Sequence, residues 1–115
     1  MQRSLPLLVL LTACIYGIQA TPLVVDTPTE IIQCGVTNIT WSGGSGAYSL
    51  SITDNGEVVE DSARLSETNF QWAGYGAPAG STVIIYVTDT AGDGASTAPV
   101  VVSPSADSSC LDPGF

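Results

Sequence analysis

The chain has 115 residues, a length that suits one domain. Eleven Asp and Glu stand against two Arg, with neither Lys nor His, and the formal net charge at pH 7 is −9. A surface of this sign repels phosphate backbones and anionic head groups, so no nucleic acid is expected as a partner. Without His or Lys, the sequence also lacks the usual bases of a nucleophilic triad.

The first twenty residues have the pattern of a secretory signal peptide. Arg3 supplies a basic start, an apolar run spans residues 5–18, and Ala20 is a small residue suited to signal peptidase. That run is too short to cross a hydrocarbon core of roughly 30 Å. We therefore expect cleavage after Ala20 and a secreted product. The loss of Arg3 would leave a mature side-chain charge of 1 − 11 = −10.

Cysteine usage agrees with export. Cleavage removes Cys14 and leaves Cys34 and Cys110 as an even pair, 110 − 34 = 76 residues apart. In an oxidising compartment two such cysteines are expected to form a disulfide. The alternative, a reactive thiol or a metal ligand, lacks a partner because there is no His and no Cys-x-x-Cys pair.

The first predicted strands follow a proline-flanked start. Residues 21–30 suit a short edge strand interrupted by prolines. Ile39 and Trp41 then share one face of a strand, and a run of glycines ends it. Residues 47–53 alternate apolar and polar, as a half-buried strand does. Asn55-Gly56 predicts a hairpin turn with positive φ at both central residues, and the acidic strand after it is expected to fade within a few residues.

Residues 81–88 give the strongest strand signal. Alternation points three apolar residues inward and two outward: Val83, Ile85 and Val87 in, Ile84 and Tyr86 out. A turn at residues 89–92 and a strand at 99–102 complete the pattern. About seven short strands without a helical period indicate an all-β sandwich.

The position of the cysteines distinguishes two kinds of sandwich. A Trp in an early strand close to a Cys, as Trp41 is to Cys34, is a feature that this chain shares with immunoglobulin domains. In those domains the second cysteine lies in a facing strand of the core, whereas Cys110 lies beyond the last predicted strand. We therefore favour the fibronectin-III-like variant of the fibronectin-III/immunoglobulin-like β-sandwich. The expected organisation is a sandwich over residues 21–103 and a tail over residues 104–115 tied by Cys110.

Seven short motifs occur together in register. They are Gln33-Cys34, Ile39-Thr40-Trp41-Ser42-Gly43-Gly44, Tyr48-Ser49-Leu50, Phe70-Gln71-Trp72, Ala79-Gly80-Ser81, Asp89-Thr90-Ala91-Gly92 and Asp107-Ser108-Ser109-Cys110-Leu111. On these motifs the chain resembles secreted fungal proteins with the Ser/Thr-rich GPI-anchored-type domain, and most of all its basidiomycete branch. This domain is also the N-terminal domain of yeast proteins linked to cell-wall β-1,6-glucan assembly. The match covers most of residues 28–111.

The resemblance implies a fibronectin-III-like fold, fungal secretion and association with the cell wall or surface. It implies no catalytic residue. Many members continue into a Ser/Thr-rich stalk and a hydrophobic GPI-attachment tail, and the sequence to residue 115 shows neither. We therefore expect a short member, soluble and without a membrane anchor after signal cleavage.

One modification site and two aromatic residues are candidates for function. Asn38-Ile39-Thr40 is an N-glycosylation sequon, and we expect Asn38 on the outer face. Whether a glycan is attached is left open, because sequons within strands are used less readily than those in loops. Tyr75, in a glycine-flanked loop, and Tyr86 could stack on sugar rings of glucan or chitin. The alternatives for both are ordinary partial burial or pairing with a second subunit.

The carboxylates do not form a convincing site. The acidic group at Asp54, Glu57, Glu60 and Asp61 could be a hydrolase pair, but a small sandwich offers little room for a sugar cleft, and a solvated acidic face is preferred. Residues 89–94 resemble a calcium loop, yet Ala91 stands where an oxygen ligand is needed. We expect no metal, no cofactor and no enzyme activity.

Two functions remain in view. The first is a secreted, non-enzymatic domain that associates with wall polysaccharide. The second is a soluble, effector-like module that binds an extracellular protein through the face bearing Ile84 and Tyr86.

Overall fold

The computed structural model describes residues 21–111, so the signal peptide prediction, Cys14 and residues 112–115 lie outside the described part. Nine strands form within it, without a helix. They are β1 (Val24–Val25), β2 (Ile31–Ile32), β3 (Thr37–Ser42), β4 (Tyr48–Asp54), β5 (Glu57–Leu65), β6 (Asn69–Trp72), β7 (Thr82–Thr88), β8 (Gly94–Ser96) and β9 (Val100–Ser103).

The strands form two sheets. The larger has the order β2-β9-β7-β4-β5, with β8 paired to β7 beyond the end of β9, and the smaller has the order β1-β3-β6. All pairs are antiparallel except β2 with β9. This confirms the fibronectin-III/immunoglobulin-like sandwich. Two short strands, β2 and β8, add to the seven that the sequence predicted.

The core lies between the two sheets. From β7, Val83, Ile85 and Val87 point inward and are fully buried, as their alternation predicted. The smaller sheet contributes Ile39 and Trp41, both at most 3% exposed. Burying one such side chain stabilises the fold by about 1.5–3 kcal/mol, so this packing supplies the main favourable term.

The hairpin between β4 and β5 has the predicted turn. Asn55 has a φ of 49° and Gly56 a φ of 90°. Asn55 also joins the turn to the start of β7, because its backbone N–H donates to the Thr82 carbonyl at 2.8 Å and its Oδ1 accepts from the Thr82 N–H at 2.9 Å. The turn is thereby tied to the central strand of the larger sheet.

The expectation that the acidic strand fades early was wrong. β5 runs to Leu65 and is the longest strand among the described residues. It lies at the edge of the larger sheet, and its pairing with β4 shifts register on either side of the stretch Leu50 to Ile52. Bulges and charged side chains are common at sheet edges because they discourage pairing with another chain. Strand formation here follows from pairing with β4, not from a regular alternation.

The C-terminal tail is held covalently and by hydrogen bonds to the turn that follows β2. Cys34 and Cys110 form the predicted disulfide, with Cα atoms 5.4 Å apart. Next to it, the side chain of Gln33 accepts from the Ala79 N–H and donates to the Asp107 carbonyl, both at 2.8 Å. One glutamine therefore joins the loop before β7 to the tail.

Removal of this disulfide is expected to destabilise the domain. The double variant Cys34→Ser, Cys110→Ser should lose about 2–4 kcal/mol of unfolding free energy, because the crosslink limits the freedom of a long loop in the unfolded chain. Denaturant unfolding of the secreted protein, with and without reductant, measures this. Reductant should not affect the double variant, and two free thiols in the secreted wild-type protein by mass spectrometry would contradict the pairing.

Candidate binding faces of the sandwich

A row of exposed aliphatic residues crosses the outer face of the larger sheet. We call it the outer band and define it as Ile32, Val58, Ile84 and Val101. Val101 is 60% exposed, Val58 59% and Ile32 41%, whereas Ile84 is half-buried. Because the four residues lie on four strands of one sheet, the band extends from β2 to β5.

Strand register makes the band continuous. Thr53 of β4 pairs with both Ile84 of β7 and Val58 of β5, and Val101 of β9 pairs with Thr82, two residues before Ile84. Side chains at such paired and diagonal positions on one face lie within contact range. The Thr53 hydroxyl donates to the Ile84 carbonyl at 3.0 Å, so its polar group is turned away from the solvent.

Tyr86 borders the band. It is 42% exposed and pairs with Ser51 of β4 and Ser96 of β8, while Asp61 of β5 lies on the other side of Ser51. The structure therefore places Ile84 and Tyr86 on the outer face, as the sequence predicted. Their role as ligand contacts stays a prediction.

Tyr75 lies elsewhere. It is 59% exposed in the loop between β6 and β7, which joins β7 at Thr82. Its two neighbours approach other parts of the fold, since a Cβ on Gly74 would lie 3.0 Å from the Cys34 nitrogen and one on Gly76 would lie 2.9 Å from the Val59 side chain. The structure describes no ring contact between Tyr75 and Tyr86; within residues 21–111 the paired aromatic rings are those of Trp41 and Tyr48, with centroids 5.7 Å apart.

The outer face of the smaller sheet is polar except at Val24. Asn38 pairs with Gln71, and Thr40 pairs with Asn69. The Thr40 hydroxyl donates to a carboxylate oxygen of Asp26 at 2.8 Å. Asn38 is exposed on this face, which a glycan requires, and its glycosylation stays a prediction.

The acidic group lies at the hairpin and the β5 edge. Asp54 and Glu57 face each other across the turn, and Glu60 and Asp61 follow on β5. Glu57 and Asp61 are exposed, as a solvated acidic surface would be. Within residues 21–111, no three His, Cys, Asp or Glu side chains are grouped to hold a metal. No helix long and apolar enough to span a membrane lies in that range either.

Asp89 has a structural role that the sequence prediction missed. One of its carboxylate oxygens accepts from the Ser45 N–H at 2.9 Å, and the other accepts from the N–H groups of Ala91 and Asp93 at 3.0 and 2.8 Å. These donors, Ser45 first, hold the pKa of Asp89 below its ordinary value of 3.8. The Thr90 hydroxyl adds a bond to the Ser45 carbonyl at 2.9 Å. We call this set of contacts the Asp89 clamp.

Gly44 allows this close approach, and Gly43 allows a second one to the start of the described chain. Gly44 has a φ of 68°, and a Cβ there would lie 2.6 Å from a carboxylate oxygen of Asp89. At Gly43, with a φ of 79°, a Cβ would collide with the carbonyl oxygen of Pro22. Glycine is the residue that adopts such angles at little cost. The Gly43-Gly44 pair is therefore a structural element of the β3–β4 connection.

The Asp89 clamp should make the domain sensitive to acid. Because the folded-state pKa is lowered, the stabilisation is complete above the ordinary value of 3.8 and is lost as pH falls through the folded-state value. Asp89→Asn should therefore unfold at a lower temperature than wild type at pH 7, and the difference should shrink towards pH 2. Thermal unfolding between pH 2 and pH 7 measures this.

The matched control is Asp93→Asn, which removes a carboxylate from the same turn but leaves the backbone donors in place. Its unfolding temperature should follow that of wild type across the pH range. Asp107 also has a lowered pKa, caused chiefly by the hydroxyl of Ser109, so Asp89→Asn should retain part of the acid sensitivity. Equal effects of the two variants at pH 7 would contradict a specific role for Asp89.

Comparison with known proteins gives one match. No protein-family model matches the chain, and no curated protein does. A solved structure of fibronectin(III)-like modules of Clostridium thermocellum CbhA matches at 12% identity, covering 72% of this chain and 98% of that chain with a TM-score of 0.44. The strand order and core described above, rather than this match, support the assignment of the fold.

Proposed function

We propose that the chain is a secreted, non-catalytic domain of the fungal cell surface that binds an extracellular protein through the outer band. The unequal outer faces of the two sheets are the main support for this proposal. The disulfide suits an oxidising compartment. The fungal setting rests on the motifs quoted from the sequence, above all those around Gln33, Gly43 and Asp89.

Folding of the domain does not require the residues of the outer band to be apolar. The core needs only the inner residue of each alternating pair, and a polar residue would serve equally well at Val58 or Val101. Exposed apolar residues are common singly, but contiguous ones mark interaction sites. Opposite them, Asn38, Thr40 and Gln71 show that the smaller sheet presents polar groups at equivalent positions.

The chemistry of the band favours a protein over a sugar. Sugar-binding surfaces use aromatic rings as stacking planes and polar groups as hydrogen-bond partners. The four residues of the band have aliphatic side chains, and Tyr86 lies only at its border. Aliphatic and aromatic side chains together form the apolar centres of protein interfaces, which polar residues surround.

Site-specific crosslinking would test this function. A photo-crosslinking amino acid is placed at position 101 of the secreted protein. This variant should give a discrete protein adduct when it is irradiated in the presence of the fungal cell surface. The control is the same amino acid at position 24, because Val24 is 51% exposed on the smaller sheet. An adduct from position 101 alone supports the proposal, and no adduct from position 101, or equal adducts from both, would overturn it.

A second candidate function is association with neutral wall polysaccharide. The exposure of two tyrosine rings favours it: Tyr75 is 59% exposed and Tyr86 is 42% exposed. A tyrosine ring can lie flat on a sugar ring, and neutral glucan or chitin is not repelled by an acidic protein. Because the two tyrosines lie on different parts of the surface, each would make a separate contact along an extended chain.

Retention on insoluble polysaccharide distinguishes this candidate from protein binding. The secreted protein should be retained on β-glucan or chitin even at high salt, and Tyr86→Ala or Tyr75→Ala should reduce the retained fraction several-fold, since stacking is typically worth about 1 kcal/mol or more. Tyr48→Phe is a poor control because Tyr48 is buried and its hydroxyl donates a hydrogen bond to the Gly43 carbonyl. Val24→Ser, on the opposite face, is the matched control. Absence of retention on either polymer would exclude this function.

A further inference from the structure

Carboxylates border both ends of the outer band. At the β5 end, Asp61 lies on the outer face beside Ser51, the next outward position along β5 from Val58. At the β2 end, Glu30 is exposed just before Ile31. Within residues 21–111 the one basic side chain is Arg64, which stands next to Leu65 at the far end of β5. The border of the band is therefore acidic at both ends.

This charge argues against a second copy of the chain as the occupant. The mature protein carries a side-chain charge of −10, and a symmetric contact through the band would bring two such surfaces together. Like charges placed across an interface suppress association. The occupant that complements the band has an apolar centre and basic residues around it.

We propose that the outer band binds a basic amphipathic helix of an extracellular protein. This inference rests on the proposed function and specifies the partner. The band spans the five strands from β2 to β5, about 19 Å at the usual strand spacing. A helix of roughly 13 residues covers that length. An apolar stripe on the helix would contact Val101, Ile84 and Val58, and Lys or Arg at its ends would face the carboxylates.

The shape of the surface also suits a helix. The band lies on a continuous paired sheet rather than in a cleft, and the apolar stripe of an amphipathic helix matches a narrow apolar row that crosses such a face. Addition of a strand to β5 is less favourable, because the edge strand bears two irregularities in its register. Long Lys and Arg side chains would cover additional apolar surface with their stems while their charged ends reach Glu30 or Asp61.

A synthetic helix provides a defined probe. A 14-residue peptide of Leu and Lys with one leucine stripe should bind the secreted protein and shift the backbone amide resonances of β4, β5, β7 and β9 while leaving β3 and β6 unchanged. Two matched peptides serve as controls. One replaces each Lys with Glu, and the other replaces each Leu with Ser. Neither should bind measurably.

Paired variants separate the apolar contribution from the charged one. Val58→Ser with Val101→Ser should weaken peptide binding roughly tenfold, since each lost apolar contact costs on the order of a kilocalorie. Val24→Ser should leave it unchanged. Glu30→Gln with Asp61→Asn should weaken binding several-fold and flatten its dependence on salt. Glu67→Gln with Asp93→Asn removes the same charge away from the band and should have a much smaller effect.

Three results would overturn the inference. The first is equal loss of binding for the two carboxylate pairs, which would show general attraction to an acidic protein. The second is self-association of the free protein with resonance shifts along the band, which would make a second copy the occupant. The third is no binding of the Leu-Lys peptide. If that third result accompanied a discrete adduct from position 101, the protein-binding function would stand and only the helical, basic partner would be refuted.

Discussion

The burial of one face of the two sheets against each other is the constraint on which this structure depends. A chain of this size has room for one core, and its central strands must point alternate side chains into it. Ile39 and Trp41 do so from the smaller sheet, and Leu50 and Ile85 from the larger, all of them nearly or fully buried. Since the core fixes which face of each strand is turned inward, it also fixes which residues reach the surface. The turns and the Asp89 clamp then close the ends of the core between the two sheets.

The two outer faces follow the same rule and yet differ in chemistry. On the smaller sheet, amide and hydroxyl side chains such as Asn38 and Gln71 stand in the solvent, and Val24 is the one exposed aliphatic residue among the described strand positions. On the larger sheet, Val58 and Val101 stand there instead, at a cost in solvation that folding does not recover. A surface that is unfavourable for the free protein becomes favourable when a partner covers it. The difference between the faces is the feature of this fold that points to a binding role.

Local patterns predicted the parts of the structure that depend on neighbouring residues. The alternation in β7 and the Asn55 turn need only a few adjacent positions, and the outward placement of Ile84 and Tyr86 followed directly. The full length of β5 did not, because it depends on pairing with β4. Nor did the Asp89 clamp, where carboxylate and backbone donor are 44 residues apart in the chain. The outer band could not be predicted from the sequence either, since its members become neighbours only through the order of strands in the sheet.

The disulfide determines how the domain would respond to mechanical load. Cys34 and Cys110 enclose most of the sandwich in one covalent loop. A pull between residue 21 and residue 111 passes across the sulfur atoms, so the chain from β3 through β9 cannot be extended. Only the segment from residue 21 to 33 can be drawn out, and it contains β1 and β2, which are attached by short pairings to β3 and β9. Such a domain would give up the core side chains Leu23, Val25 and Ile31 at one corner and keep the rest of its core, together with the outer faces of β4, β5, β7 and β9, under force.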